Sequence, residues 1–205
     1  MDKLQEALHF RTAVKEFDLN QEISQEDLNY ILEAGRLAPS SFGLEHWKFI
    51  VVNSAADKHN IEKICYNQKQ ISTASHILIL VSKLSDFHED SQYIQDLLNQ
   101  RMPEQTAQKV EKIIANFTNS MSDIQLKYWT QKQCYIAASH MMIAAAFKKI
   151  DSCPMEGFNE KALLDYLNLN SEEYTAALVL PFGFRTEQQR EKTRQELEKI
   201  VEFRD

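Results

Sequence analysis

Ala34–Val52, AGRLAPSSFGLEHWKFIVV, decides how the rest of the chain is read. Upstream, Leu28, Ile31, Leu32 and Gly35 recur at helical spacing behind Ser24-Gln25-Glu26-Asp27, an N-cap followed by acids in the first turn. This pattern predicts a helix over Gln25–Leu37 with one buried face. Pro39 ends it, because the residue before a proline is pushed out of helical backbone. Downstream, Trp47–Asn53 is rich in aromatic and β-branched residues and predicts a strand. The small and polar residues between the two are more than a plain connector needs. They read as a loop built to hold something.

Working outward, a short helix is expected over Ala56–Cys65, and the continuous apolar run His76–Ser82, HILILVS, predicts a buried strand. Helices are expected over Asp86–Asn99, Glu104–Asn119 and Ser122–Lys149. The last becomes apolar nearly all round at Ile136–Phe147, which places it in the middle of a core or at a subunit interface. Asn159–Leu167 predicts another short helix, Tyr174–Pro181 a second buried strand, and Thr186–Val201 a terminal charged helical segment. No repeat, linker or low-complexity tract interrupts the chain, so residues 1–205 are expected to form one domain. Strands interleaved with a larger amount of helix predict an α+β sandwich around a central sheet.

The chain has 205 residues, 43% of them hydrophobic, and a net charge of −7. No apolar run approaches the roughly 18–20 residues of a membrane span. The opening MDKLQEALHF is charged and amphipathic and lacks a secretory apolar core, so a cytoplasmic location is expected. The acidic balance argues against general nucleic-acid binding, although a local basic pocket for a small anion remains compatible with it. Cys65, Cys134 and Cys153 are far apart and fit no zinc spacing; buried, reduced thiols are expected. Gly35, Gly43, Gly157 and Gly183 are the four glycines. Neither a G-x-G-x-x-G nor a P-loop can be written with them, so any bound phosphate must be held by side-chain cations.

Arg11 and Lys15 stand four apart near the N-terminus, and Lys192 and Arg194 form a second pair near the C-terminus. Taken alone, each pair reads as solvated surface charge. Asp86-Phe87-His88-Glu89-Asp90 could suggest a metal cluster. Acids in the first turn of a helix are favoured by its dipole, and that suffices; no metal is expected. His140 reads as a hydrogen-bonded core histidine and Trp129 and Tyr135 as core, whereas His46, inside the opening loop, is less easily dismissed. Glu156-Gly157 sits where two elements turn, and glycine there permits close backbone approach to a ligand.

Together these pieces resemble the FMN-dependent nitroreductase family, of the oxygen-insensitive NAD(P)H nitroreductase and flavin-reductase type. The resemblance runs through Arg11-Thr12-Ala13-Val14-Lys15-Glu16-Phe17-Asp18, Ala38-Pro39-Ser40-Ser41 and Trp47-Lys48-Phe49. It continues through Asn67-Gln68-Lys69-Gln70 ahead of Ala74-Ser75-His76, then Trp129 and Gln133, Pro154-Met155-Glu156-Gly157-Phe158, and Lys192-x-Arg194. Each fragment is weak alone; their order and spacing along nearly the whole chain carry the likeness.

The resemblance implies a three-layer sandwich, with a central, mostly antiparallel sheet flanked by helices, in an intertwined homodimer with FMN at the interface. Arg11, Lys192 and Arg194 match the cations on the FMN phosphate. Lys15 matches the lysine beside the pyrimidine side of the ring, with Thr12 and Ala13 between them. Asn67 matches an amide on the ring edge, near Gln70 and Gln133. The backbone N–H groups of Glu156 and Gly157, in the segment with Pro154 and Met155, match the pair addressing N5 and O4. Pro39, Ser40 and Ser41, with Gly43, would come from the partner subunit. The implied activity is ping-pong hydride transfer from NADH or NADPH through flavin N5 to nitroaromatic, quinone or flavin acceptors, with no catalytic side chain of the protein's own. A flavin-binding sensor or carrier with little turnover is the alternative. Phe117, or an aromatic near it between the long helices, is expected to cap the pocket.

Four departures stand out. Ala13 replaces a common hydroxyl residue, and Gln70 a lysine. Gly43 replaces an asparagine, and Glu45-His46 replaces Gln-Pro, putting a negative charge near a site for an anionic cofactor.

Overall fold

The computed structural model describes residues 2–87 and 90–204. Four strands, β1 (Trp47–Val52), β2 (His76–Lys83), β3 (Asp151–Ser152) and β4 (Tyr174–Gly183), form one antiparallel sheet in the order β1-β2-β4-β3. The helices are α1 (Lys3–Phe10), α2 (Gln25–Arg36), α3 (Ala55–Ile64), α4 (Lys69–Ser72), α5 (Gln92–Asn99), α6 (Glu104–Asn119), α7 (Asp123–Phe147) and α8 (Glu160–Tyr166).

Strand alternation explains the three layers. Leu78 and Leu80 of β2 face α2 and α7, with Leu178, Leu180 and Phe182 of β4. Ile77, Ile79 and Val81 point the other way, onto α3, α4 and α8 through Ile61, Ile71, Leu163 and Leu164. A strand covered on both faces must be apolar throughout, which is why HILILVS reads as a continuous run. Leu80 pairs with Leu178 but Val81 with Ala176, so Ala177 is the extra residue of a β-bulge. Ala177 and Leu178 accordingly both belong to the α2–α7 side.

α7 is the central helix. Ser122 and Gln125 close a capping box at its start. Ala137, Ala138, Met141 and Ala145 are buried against the sheet and α2. A Cβ on Gly35 would lie 2.0 Å from Met141 Cε, so the methionine side chain lies directly over the glycine and would have to shift to admit a larger residue. Small side chains on both helices let them approach closely. The opposite face of α7 is open: Ile124, Tyr128, Tyr135, Ile136 and Phe147 are each more than a third exposed. A third cluster, built on Leu44, Phe87, Ile94, Leu98 and Ile114, joins α5 and α6 to the loop before β1.

Several elements differ from expectation. The 186–201 stretch is extended, with a single 3₁₀ turn at Leu197–Lys199, and not a helix. Instead it ties down the end of α1, whose last carbonyls lack helical partners. Lys192 Nζ donates to Leu8 O, Gln189 Nε2 to His9 O at 2.9 Å and Arg185 to Phe10 O at 3.1 Å. α5 begins at Gln92, capped by Ser91, and not at Asp86. Asp86 pairs with Lys83 at 3.4 Å, and Phe87 turns into the third cluster. The cluster suggested at 86–90 includes His88 and Glu89, which lie outside the described residues. His140 is exposed and not in the core, although Nδ1 does meet Ile136 O at 2.9 Å. Tyr135 is likewise more than a third exposed. The three cysteines are buried and unlinked, as expected. No helix among the described residues is long and apolar enough to cross a membrane.

Candidate functional site

The structure brings Arg11, Lys192 and Arg194 together around a cleft of about 350 Å³, which Leu8, His9 and Ile143 complete. Burial first, and then Arg194, holds the Arg11 pKa below its ordinary value. Burial, Arg11 and Arg194 lower that of Lys192. No carboxylate among the described residues forms an ion pair with any of the three. In a chain of net charge −7, three mutually repelling cations around one cleft describe a site for a multiply charged anion such as a phosphate monoester.

The segment behind Arg11 runs along the sheet edge. Ala13 bridges to Ser152 and Val14 N donates to Ser152 O at 3.4 Å. Thr12, Ala13 and Lys15 line a second cleft of about 150 Å³ with Arg185, Gln189 and Arg190. Lys15 Nζ lies 3.7 Å from Cys153 Sγ. Burial raises the Cys153 pKa, and Lys15 and Arg11 draw it partly back. The edge itself is clamped by the largely buried pair Asp151–Arg185, whose guanidinium also stacks over Phe10 at 4.4 Å.

Pro154–Gly157 follows directly. Met155 exchanges backbone hydrogen bonds with Val179, at 2.9 and 3.0 Å, which fixes the turn to β4. Glu156 and Gly157 are exposed, and among the described residues neither N–H donates to a protein acceptor. Tyr135 donates to Glu156 Oε1 at 2.7 Å from α7. On the other side, Gln68 Nε2 donates to Gly157 O at 2.9 Å, and Gln70 Nε2 to Gln68 Oε1 at 3.0 Å. Asn67 is exposed with φ +56°. Thus the 11–15, 67–70, 153–157 and 192–194 segments are one constellation with two backbone donors and a cation cluster that, among the described residues, have no protein acceptor and no carboxylate partner respectively. Gln70 belongs to it as a buried amide engaged with Gln68.

Pro39, Ser40, Ser41, Gly43 and Gln133 form a separate group. Ser41 N donates to Gln133 Oε1 at 3.0 Å, and Gln133 Nε2 to Trp129 O at 2.9 Å. Among the described residues no hydrogen bond joins this group to the first. Glu45 is paired with Arg101, so the charge that looked uncompensated in the sequence is neutralised locally. His46 is fully buried between Phe87 and Trp129, with ring centroids 4.4 and 4.5 Å away, and neither ring nitrogen has a partner among the described residues. Burial, with Lys83 nearby, lowers its pKa to about 3. A neutral, sequestered ring of this kind fills the third cluster and faces no ligand site.

Sequence reasoning missed Gln68, Tyr135, Cys153, Arg101 and Arg185 as parts of this framework. Gln68 lies within the quoted 67–70 segment and Cys153 directly precedes Pro154. The partners of Arg101 and Arg185 are distant in sequence and leave no local signal. Among the described residues no group of three or more His, Cys, Asp or Glu could hold a metal.

Comparison with known proteins gives the family. The family model described as the nitroreductase family matches residues 8–184. A Staphylococcus aureus protein with the provisional name NAD(P)H nitroreductase is 37% identical over 212 residues, covering 98% of this chain and 95% of that one. A nitroreductase-like protein of Streptococcus mutans superposes with a TM-score of 0.88 at 20% identity, covering 98% of each chain. A nitroreductase-type structure from Exiguobacterium sibiricum, described as a complex with FMN, has a TM-score of 0.84 at 20% identity, covering 100% of this chain and 98% of that one. With a family model that spans most of the chain and a relative 37% identical along nearly all of it, the chain belongs to the nitroreductase family.

Proposed function

We propose that this protein is an FMN-dependent NAD(P)H oxidoreductase that passes electrons to nitroaromatics, quinones or free flavin, its whole length acting as one domain. The observation that carries the proposal is the cluster Arg11, Lys192 and Arg194, without a carboxylate partner among the described residues, on the framework that also presents the N–H groups of Glu156 and Gly157. A phosphate monoester fits the cations, and a planar ring with acceptor atoms along one edge fits the two donors. The names of the S. aureus relative and the Exiguobacterium complex support the donor and the cofactor respectively.

When bound, FMN supplies the hydride chemistry between NAD(P)H and acceptor, so that the two substrates use one site in turn. The protein's residues bind, orient and tune. Arg11 and Arg194 offer planar forks and Lys192 a point charge to the phosphate. Lys15, held at Cys153, would supply a cation to stabilise negative charge on the pyrimidine side of the reduced ring. The Gln70–Gln68–Gly157 relay and the Tyr135–Glu156 bond hold the donor turn from both sides. The Pro39–Gly43 group stands apart from this framework, and we assign it to the site of a partner subunit. The open face of α7 and the exposed Leu197, Ile200 and Phe203 of the tail support a homodimer.

The test is titration of flavin-free protein with FMN and with riboflavin. FMN should bind far more tightly. Arg11→Ala or Arg194→Ala should weaken FMN about 10- to 150-fold, the worth of one charged hydrogen bond, and leave riboflavin nearly unaffected. Equal affinity of the native protein for the two flavins would overturn the proposal. NAD(P)H oxidation in the presence of a quinone distinguishes an enzyme from a carrier.

A further inference from the structure

Acids outnumber Lys and Arg by 30 to 23 in this chain, yet no carboxylate among the described residues pairs with Lys15. Its one hydrogen-bond acceptor among the described residues is Cys153 Sγ, 3.7 Å from Nζ. The backbone brings the two together. Ala13 bridges to Ser152 and Val14 N donates to Ser152 O at 3.4 Å, so the 13–15 segment runs beside 152–153. Cys153 is a fixed point. It is fully buried in the cluster of Phe17, Met155 and Val179, and its N–H donates to Pro181 O at 3.1 Å. Lys15, by contrast, is exposed and carries its charge on a flexible four-carbon stem. The thiol thus tethers a mobile ammonium to the sheet edge. The kind of acceptor matters. Burial holds the Cys153 pKa above its ordinary value, although Lys15 and Arg11 draw it partly back, so the acceptor is a neutral thiol. A carboxylate in its place would hold the ammonium more firmly but cancel its charge. A thiol is a weak acceptor that holds the ammonium and leaves its charge whole.

We propose that Cys153 is a positioning residue for Lys15, a charge-preserving tether that sets how strongly the site prefers reduced over oxidised flavin. The inference rests on the FMN reading, in which Lys15 serves the pyrimidine side of the ring. The oxidised ring is neutral there and gains little from a nearby cation, whereas the reduced ring carries negative charge. An ammonium already held at the sheet edge meets that charge without first being ordered. Ordering a free lysine side chain costs conformational entropy, and the tether removes part of that cost. Cys153 therefore acts on the flavin only through Lys15.

Potentiometric titration of the FMN-loaded protein, with free FMN as the reference, tests this without turnover, because it gives the ratio of affinities for reduced and oxidised flavin. Cys153→Ala and Cys153→Val both remove the acceptor, the second with a larger side chain in case the first does not fold. Each should lower the ratio about 2- to 10-fold, a share of the entropy of one ordered lysine. Cys153→Ser keeps a neutral acceptor and should keep the native ratio. Lys15→Met should lower the ratio by more than either, and in that background Cys153→Ala or Cys153→Val should change nothing further. A ratio unchanged or raised in both acceptor-free variants overturns the tether. So does an equal fall with and without Lys15, which is the result expected if Cys153 only shapes the Glu156–Gly157 turn. A ratio that Lys15→Met leaves unchanged also overturns the tether, while FMN binding stands. A native protein that takes up no FMN overturns both the tether and the reading it rests on.

Discussion

Replacing His46 with leucine isolates the consequence of burying an ionisable ring without partners. At neutral pH two effects oppose each other. The substitution removes two unsatisfied polar atoms, each costing about 1–3 kcal/mol when buried, but also loses the ring contacts with Phe87 and Trp129, about 0.5–1.5 kcal/mol each. The pH dependence is free of that ambiguity. The folded-state pKa is about 3 against an ordinary 6.5, so between these values the unfolded chain binds a proton that the native state refuses. Stability therefore falls as pH falls below 6.5 and keeps falling towards about 3. From neutrality to about pH 5 the histidine's contribution is about 2 kcal/mol, and any folded pKa below about 4 gives nearly the same figure. Urea unfolding of both proteins at the two pH values measures the double difference. The native protein should lose about 2 kcal/mol more than His46→Leu. Equal losses would show that His46 is hydrated or paired in solution and refute the reasoning.

Two further outcomes follow from the site. Arg185→Ala should destabilise the protein by about 3–5 kcal/mol, since it leaves the Asp151 carboxylate buried and unpaired and frees the end of α1; a loss under about 1 kcal/mol in urea unfolding would contradict that. Gln70→Lys should raise the reduction potential of bound flavin, because an added cation beside the ring favours its anionic reduced form; a potentiometric titration with no change would remove Gln70 from the flavin's electrostatic environment.

The layers were legible because their signals are local. A strand covered on both faces must be apolar throughout, and the Ser122–Gln125 capping box marks the start of α7 within four residues. The site fragments were legible as an ordered series, and four of the segments do meet at one sheet edge. What escaped depends on distant partners. Charged, evenly spaced residues at 186–201 fit a solvated helix as well as an extended strap, and only the carbonyls at the end of α1 decide for the strap. The start of α5 was misplaced because Asp86 looked like a first-turn acid, whereas it answers Lys83 and Ser91 supplies the cap. His140 was placed in the core because its neighbours are apolar; in the single chain that side of α7 is open. Glu45 seemed uncompensated because Arg101 lies far along the chain.

The central claim is that this chain binds FMN and is reduced by a nicotinamide donor. An absorbance spectrum of the purified protein, before and after anaerobic addition of NADH and of NADPH, addresses it most directly. The account predicts a flavin band in the visible blue that at least one of the two donors bleaches. A colourless protein that added FMN does not turn yellow, or a yellow one that neither donor bleaches, would contradict it.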